Sequence, residues 1–348
     1  DAAGRDSGVR FGHFDDSARE YVITTPRTPY PWINYLGTQE FFGLISHLGG
    51  GYSFYRDARM RRLTRYRYNN VPLDVGGRYY YINDGGDVWT PSWSPVKADL
   101  DHFETRHGLS YTSITGERHK LRVETLYFVP LATNAEVHRV RVTNTGDSPK
   151  SVQLFSFAEF NLWNAFDDQT NYQRNFSLPE AEVEGSAIYH TTEYRERRNH
   201  YAVYGVNAPI AGFDTDRDAF FGLHNGFDAP EAVVDGSCRN SMVSGWAAIG
   251  AHQIDIDLEP GEQRDLVFVL GYVDNPPDEK WESPGVVNKE PARALLARFA
   301  TSEQVDAALA ELREYWDRML GAYTVSSGDE SAVTVSAGKN DIPGLIAN

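Results

Sequence analysis

Residues 163–175 read WNAFDDQTNYQRN and hold three Asn, two Gln, two adjacent Asp, one Arg and three aromatics. Amides donate and accept at once, as a sugar hydroxyl does, and Arg offers a fixed fork of donors. Flat rings cover the apolar faces of sugars. The stretch therefore suits holding a carbohydrate or acting on one. Asp167 and Asp168 raise glycoside hydrolysis by paired carboxylates, which flank the scissile bond at about 5–9.5 Å. Neighbours in an extended chain project to opposite faces, so hydrogen bonding within the loop or capping of a strand end is the expected role.

Other chemistry-bearing groups are weaker. His190 and His200 flank the charged run TTEYRERRN, which reads as a solvated hairpin. No His, Cys, Asp and Glu grouping has metal-ligand spacing, and the lone Cys238 excludes a thiolate zinc site. Gly49-Gly50-Gly51 is not followed by a helix carrying Lys-Ser/Thr, so it reads as a tight turn rather than a phosphate loop. The basic run RDARMRRLTRYRYNN (56–70) places Arg65 and Arg67 on one strand face, which would suit an anion. Pairing with the acidic surplus, with guanidinium groups laid on Tyr66 and Tyr68, is the favoured reading.

The elements that must position these groups are strands. Alternation with a period of two dominates from about residue 20 to 273, as in Leu121, Val123, Thr125 and Tyr127 against Arg122 and Glu124. LVFVL (266–270) is apolar on both faces, which predicts a strand covered on two sides. Turn signals such as Asn83-Asp84-Gly85-Gly86 and Pro260-Gly261 recur without interleaved helices. The fold class is therefore mainly β, a large antiparallel β-sandwich. Beyond Pro276-Pro277 the spacing turns helical over 289–300 and 302–320. In the second helix Val305, Ala308, Leu309, Leu312, Trp316, Met319 and Leu320 form one stripe, for which the flank of the sandwich is the expected partner, and Thr301 with Gln304 forms a capping box. Four segments follow: an extension (1–10), the sandwich (11–280), a helical linker (281–323) and a tail (324–348) expected to lack regular structure.

The bulk numbers narrow the function. At 348 residues the chain is long for one core, which predicts one large domain with an appendage. A net charge of −16 argues against nucleic acid and anionic membrane as partners. A single cysteine suits a reducing compartment, and the absence of a leader or an 18-residue apolar run predicts a cytoplasmic protein. The chain starts at Asp1 rather than Met, which fits a removed start or a fragment.

Several blocks carry a resemblance to a known family. FGHFDDSAREYVITTPRTPYPWINYLG (11–37), GGYSFYRDARMRRLTRYRYNN (50–70), GDVWTPSW (86–93) and WNAFDDQTNYQRN (163–175) closely resemble the N-terminal region of the cellobiose phosphorylases, from about residue 10 to 323. Chitobiose phosphorylase and other inverting disaccharide phosphorylases are more distant relatives. The resemblance implies a galactose mutarotase-like supersandwich, linker helices and then an (α/α)6 barrel. It implies phosphorolysis of cellobiose to α-glucose 1-phosphate and glucose with inversion, inorganic phosphate replacing water as nucleophile. No metal or organic cofactor is implied.

In that family the general acid and the phosphate ligands belong to the barrel, and this sequence carries a different tail from about Thr324. The expectation is a truncated product or fragment with no catalytic residue of its own, inactive alone. The resemblance moves the 163–175 loop to the mouth of a neighbouring subunit's active site in a homodimer. Asn164, Asn171, Gln173 and Arg174 match its polar positions and would meet the acceptor end of cellobiose- or glucose-type sugars. The alternatives are a free-standing carbohydrate-binding or dimerisation module, and a mutarotase-like enzyme, for which no supporting His and carboxylate spacing is found.

Overall fold

The structure is a computed structural model and describes residues 10–66, 76–169, 178–193, 199–243, 247–329 and 332–337. Among the described residues two large antiparallel sheets pack face to face. The ten-stranded sheet runs from edge strand Gly12–Asp15 through Tyr111–Arg118, Leu121–Phe128, Ala135–Asn144 and Gln263–Asp274 to His200–Val206, Ala187–Glu193 and edge strand Leu178–Glu184. The nine-stranded sheet is built around Lys150–Trp163, with Ala248–Leu258 on one side and Arg78–Asp84 and Arg62–Thr64 on the other. Phe268 lies 4.9 Å from Tyr80 across the gap, and Tyr272 stacks on Tyr55 at 4.2 Å, so aromatic rings from both sheets fill the interior.

The alternation in the sequence has a direct physical consequence at LVFVL. Leu266, Phe268 and Leu270 belong to the core between the sheets, while Val267 and Val269 face outward. That outer face is covered by helices Glu290–Ala297 and Ser302–Leu320. Val305, Ala308, Leu309 and Leu312 of the predicted stripe are buried there, Trp316 is half-buried, and Met319 and Leu320 are exposed. The helix starts as its sequence dictates. The Thr301 hydroxyl accepts from the Gln304 backbone N–H, and the Gln304 side chain accepts from the Thr301 N–H. Gly271 and Gly205 let the shorter helix approach, since a Cβ there would come within 2.7 Å of Leu295 and 2.8 Å of Leu296.

Three differences from the sequence reading follow from short-range physics. The nine-stranded sheet is covered by two short helices, Arg217–Phe221 and Glu231–Val234, which bury Phe220, Phe221, Ala232 and Val233 against Tyr79, Tyr81, Phe155 and Phe157. Five and four residues are too few to print a helical period, so the segment reads as strand and turn. Part of the expected tail pairs as a hairpin, Tyr323–Asp329 with Ala332–Ala337. Its Thr-Val and Val-Thr-Val runs favour extended backbone. The third difference lies at the candidate site.

Candidate functional site

Strand Lys150–Trp163 delivers the loop. Its register is regular from Lys150↔Leu258 to Glu159↔Ile249, then shifts between Phe160, which faces Thr64, and Trp163, which faces Arg62. Trp163 takes a left-handed φ of 64°, which turns the chain out of the sheet. The next residues form a helix, Ala165–Gln169, instead of continuing extended. Asp167 and Asp168 therefore sit on one helical turn, which corrects the expectation of opposite faces. Asn164 causes the change. Its Oδ1 accepts from the N–H groups of Phe166 (3.1 Å) and Asp167 (3.3 Å), and its Nδ2 donates to Asp167 Oδ2 at 3.0 Å. It acts as an N-cap. Asn171, Gln173 and Arg174 lie outside the described residues.

Asp168 faces inward and is 3% exposed. Arg65 grips it, with Nε donating to Asp168 Oδ2 at 2.8 Å and Nη1 donating to Glu159 Oε1 at 2.7 Å. This is pairing with carboxylates, as favoured over an anion site, and Arg67 and Tyr68 lie outside the described residues. The neighbouring guanidinium of Arg62 lies 3.9 Å from the Tyr52 ring centroid. A second tie holds the loop, since the Ala165 N–H donates to the Arg59 carbonyl at 2.7 Å. The outer surface of the helix carries Phe166, 59% exposed, with the Arg59 guanidinium 5.3 Å from its ring centre. The sequence contained the signal for Phe166, a large apolar residue within a polar loop.

His190 and His200 correct another expectation. Both are buried beneath the loop rather than on a solvated hairpin. Their strands lie in the ten-stranded sheet with their inner residues facing Phe160 and Trp163. His190 stacks on Phe160 at 4.6 Å and 4°, and burial pushes its imidazole down to about 3. His200 lies 4.4 Å from Trp163, and its Nδ1 is 2.9 Å from the Tyr272 hydroxyl, which also accepts from Arg61 at 2.6 Å. Burial raises the Tyr272 phenol above its usual range. The two imidazoles are buried wall and floor beneath the helix Ala165–Gln169.

A second polar cluster was not legible in the sequence. Arg78 and Glu136, on opposite sheets, form a fully buried ion pair, with Arg78 Nε at 2.8 Å from Glu136 Oε2. The Ser53 hydroxyl donates to Glu136 at 2.7 Å, His138 Nε2 lies 3.0 Å from Glu136, and Tyr80 lies 2.8 Å from His138 Nδ1. A His beside a carboxylate is the pairing a mutarotase-like mechanism would need. Here both are fully buried between the sheets, so they tie the layers and cannot meet a sugar. Gly49 and Gly51 adopt φ of 85° and 125° in the turn entering strand Gly51–Tyr55, as expected of a tight turn. Among the described residues no three His, Cys, Asp or Glu converge as metal ligands, and no helix is long and apolar enough to cross a membrane.

Together these elements define a mainly β supersandwich with a short helix at the end of its central strand. Residues 19–302 match the glycosyl hydrolase 94 supersandwich domain, and the chain belongs to that family. It is 34% identical over 336 residues to the N,N'-diacetylchitobiose phosphorylase of Vibrio furnissii, covering 94% of this chain and 40% of that protein. It is 31% identical over 335 residues to the 3-O-beta-D-glucopyranosyl-beta-D-glucuronide phosphorylase of Paenibacillus borealis, covering 92% of this chain and 39% of that one. The galactose mutarotase related enzyme of Lactobacillus acidophilus overlays 71% of this chain and 99% of its own at 8% identity and a TM-score of 0.42. The chain thus spans about two fifths of the length of the two phosphorylases.

Proposed function

We propose that this chain is the supersandwich and linker part of a cellobiose-type phosphorylase, and that its 163–175 loop selects the acceptor sugar at a neighbouring subunit's active site. The observation that carries the reading is the clamped loop. Arg65, Glu159 and the Asn164 cap fix a short polar helix whose outer face presents an aromatic ring beside a cation. Fixed donors and a flat ring are what recognition of a sugar needs. The named activities of the two phosphorylase relatives support a disaccharide and phosphate as substrates.

In this reading the reaction is cellobiose plus inorganic phosphate to α-glucose 1-phosphate plus glucose, inverting and without metal or organic cofactor. The acid and the phosphate ligands come from an (α/α)6 barrel. Asn164, Asn171, Gln173 and Arg174 meet the acceptor end, Phe166 covers an apolar sugar face, and the homodimer brings loop and site together in the cytoplasm. The test measures phosphate-dependent release of glucose 1-phosphate from cellobiose by the 348-residue chain alone and after mixing with a catalytic barrel. No release alone, and release on mixing that responds to Phe166→Ala through the acceptor KM, is the expected result. Turnover by the chain alone would overturn it.

A further inference from the structure

A cavity of about 300 Å³ lies between the turn after strand Gly12–Asp15, the turn before strand Tyr111–Arg118 and the last turns of helix Ser302–Leu320. Its walls include Arg19, Leu109, Tyr111, Arg313, Trp316 and Asp317. None of these belongs to the 163–175 loop or to the residues that clamp it.

Three features mark the cavity. Arg313 lies 4.7 Å above the Tyr111 ring, and among the described residues no carboxylate stands within ion-pair distance of it. Its guanidinium is exposed and keeps donors for an acidic group. The Trp316 indole N–H is buried and has no hydrogen-bond acceptor. A buried donor left without an acceptor is costly. Finally, both turns that wall the cavity hold a non-glycine residue in left-handed backbone, Arg19 at φ 55° and Ser110 at φ 64°. Strained conformations of this kind gather at ligand sites.

One turn along the same helix from Arg313 stands a carboxylate. Asp317 pairs with Arg19 at 2.9 Å and is two-thirds exposed, so its carboxylate can still accept from hydroxyl groups. The Tyr111 hydroxyl is spent on Glu20, which Arg106 neutralises at 3.0 Å. A bare anion would satisfy Arg313 and leave Asp317 opposed. A neutral sugar would satisfy Asp317 and leave Arg313 unused. A ring-sized molecule bearing both hydroxyls and one acidic group satisfies both, with Leu109 and the Trp316 ring against its apolar face. The volume is at the small end of ligand sites, which run from about 300 to 1,000 Å³.

We propose that this cavity is a binding site for a monosaccharide acid, a sugar phosphate or sugar carboxylate, with Arg313 taking the acidic group and Asp317 the hydroxyls. Calorimetric titration of the 348-residue chain with glucose 6-phosphate, glucuronate, glucose and inorganic phosphate tests it, and the first two arms distinguish phosphoryl from carboxylate sources. Saturable binding of at least one acid, about ten-fold or more tighter than glucose or inorganic phosphate, is expected from a charge-assisted pair. Arg313→Gln should weaken it about ten-fold or more, Arg313→Lys less because charge is kept without the fork, and Trp316→Phe by a few-fold. Arg122→Gln, a change to an exposed arginine paired with Glu117, should leave it unchanged. Thermal midpoints of the variants confirm that each is folded. Equal binding of glucose and the acids, equal binding of inorganic phosphate, no binding, or wild-type binding in folded Arg313→Gln each overturns the site.

Discussion

At the scale of single residues, Arg65 is the group on which the loop depends. It meets two carboxylates, and all three side chains are at most 10% exposed. Removing one partner of a buried pair leaves uncompensated charge, so Arg65→Ala should cost about 3–5 kcal/mol of stability in urea unfolding. Asn164→Ala removes only a cap, and the expected loss is about 1 kcal/mol. His190 tests burial itself. Its ordinary value of 6.5 falls to about 3 in the fold. Below pH 6.5 the unfolded chain takes up a proton that the folded chain refuses. The contribution is therefore intact above 6.5 and lost as pH falls toward 3. His190→Phe, which keeps the stack on Phe160, should make the drop in stability from pH 7 to pH 5 smaller by about 2 kcal/mol. The residue types of the loop were legible in the sequence, but their partners were not. The pairing of Arg65 with Asp168 crosses 103 positions, and burial of His190 depends on a sheet register no local pattern records.

At the scale of elements, period and composition carried most of what the strands do. Leu266, Phe268 and Leu270 point to one layer and Val267 and Val269 to another, as a doubly apolar run requires. The second linker helix was equally legible, because nineteen residues with a cap print both stripe and start. The helix Ala165–Gln169 and the two covering helices were not, because one turn carries no period. Leu312, fully buried against the outer valines, gives the element-scale prediction. Leu312→Ala should destabilise by about 2–5 kcal/mol in the same urea assay, whereas Leu320→Ala, at an exposed position, should stay within about 0.5 kcal/mol.

At the scale of the whole molecule, two sheets are joined by aromatic packing and by the Arg78–Glu136 pair. Burial, the largest single effect, would raise the Glu136 carboxyl, but Arg78 and His138 together outweigh it and hold the group at about 2. This contribution is present above the ordinary carboxylate value and lost as pH falls toward 2, the same direction as for His190. His47 and His107, pushed to about 4 by burial, and His252, pushed to about 3, add to it. Urea midpoints should therefore be level above about pH 7 and fall steadily below 6.5, and a midpoint unchanged down to pH 4 would contradict a sealed interior. The sandwich itself is the scaffold shared with the glycosyl hydrolase 94 family, and the loop is where selectivity would be added to it. The measurement that bears most directly on this account is a kinetic comparison of Asn164→Asp with the parent chain, each fused ahead of the (α/α)6 barrel of a cellobiose phosphorylase. The predicted result is a changed acceptor preference in the synthetic direction with the phosphate KM nearly unchanged. Loss of phosphate affinity with acceptor preference intact would place the loop at the donor side and contradict the account.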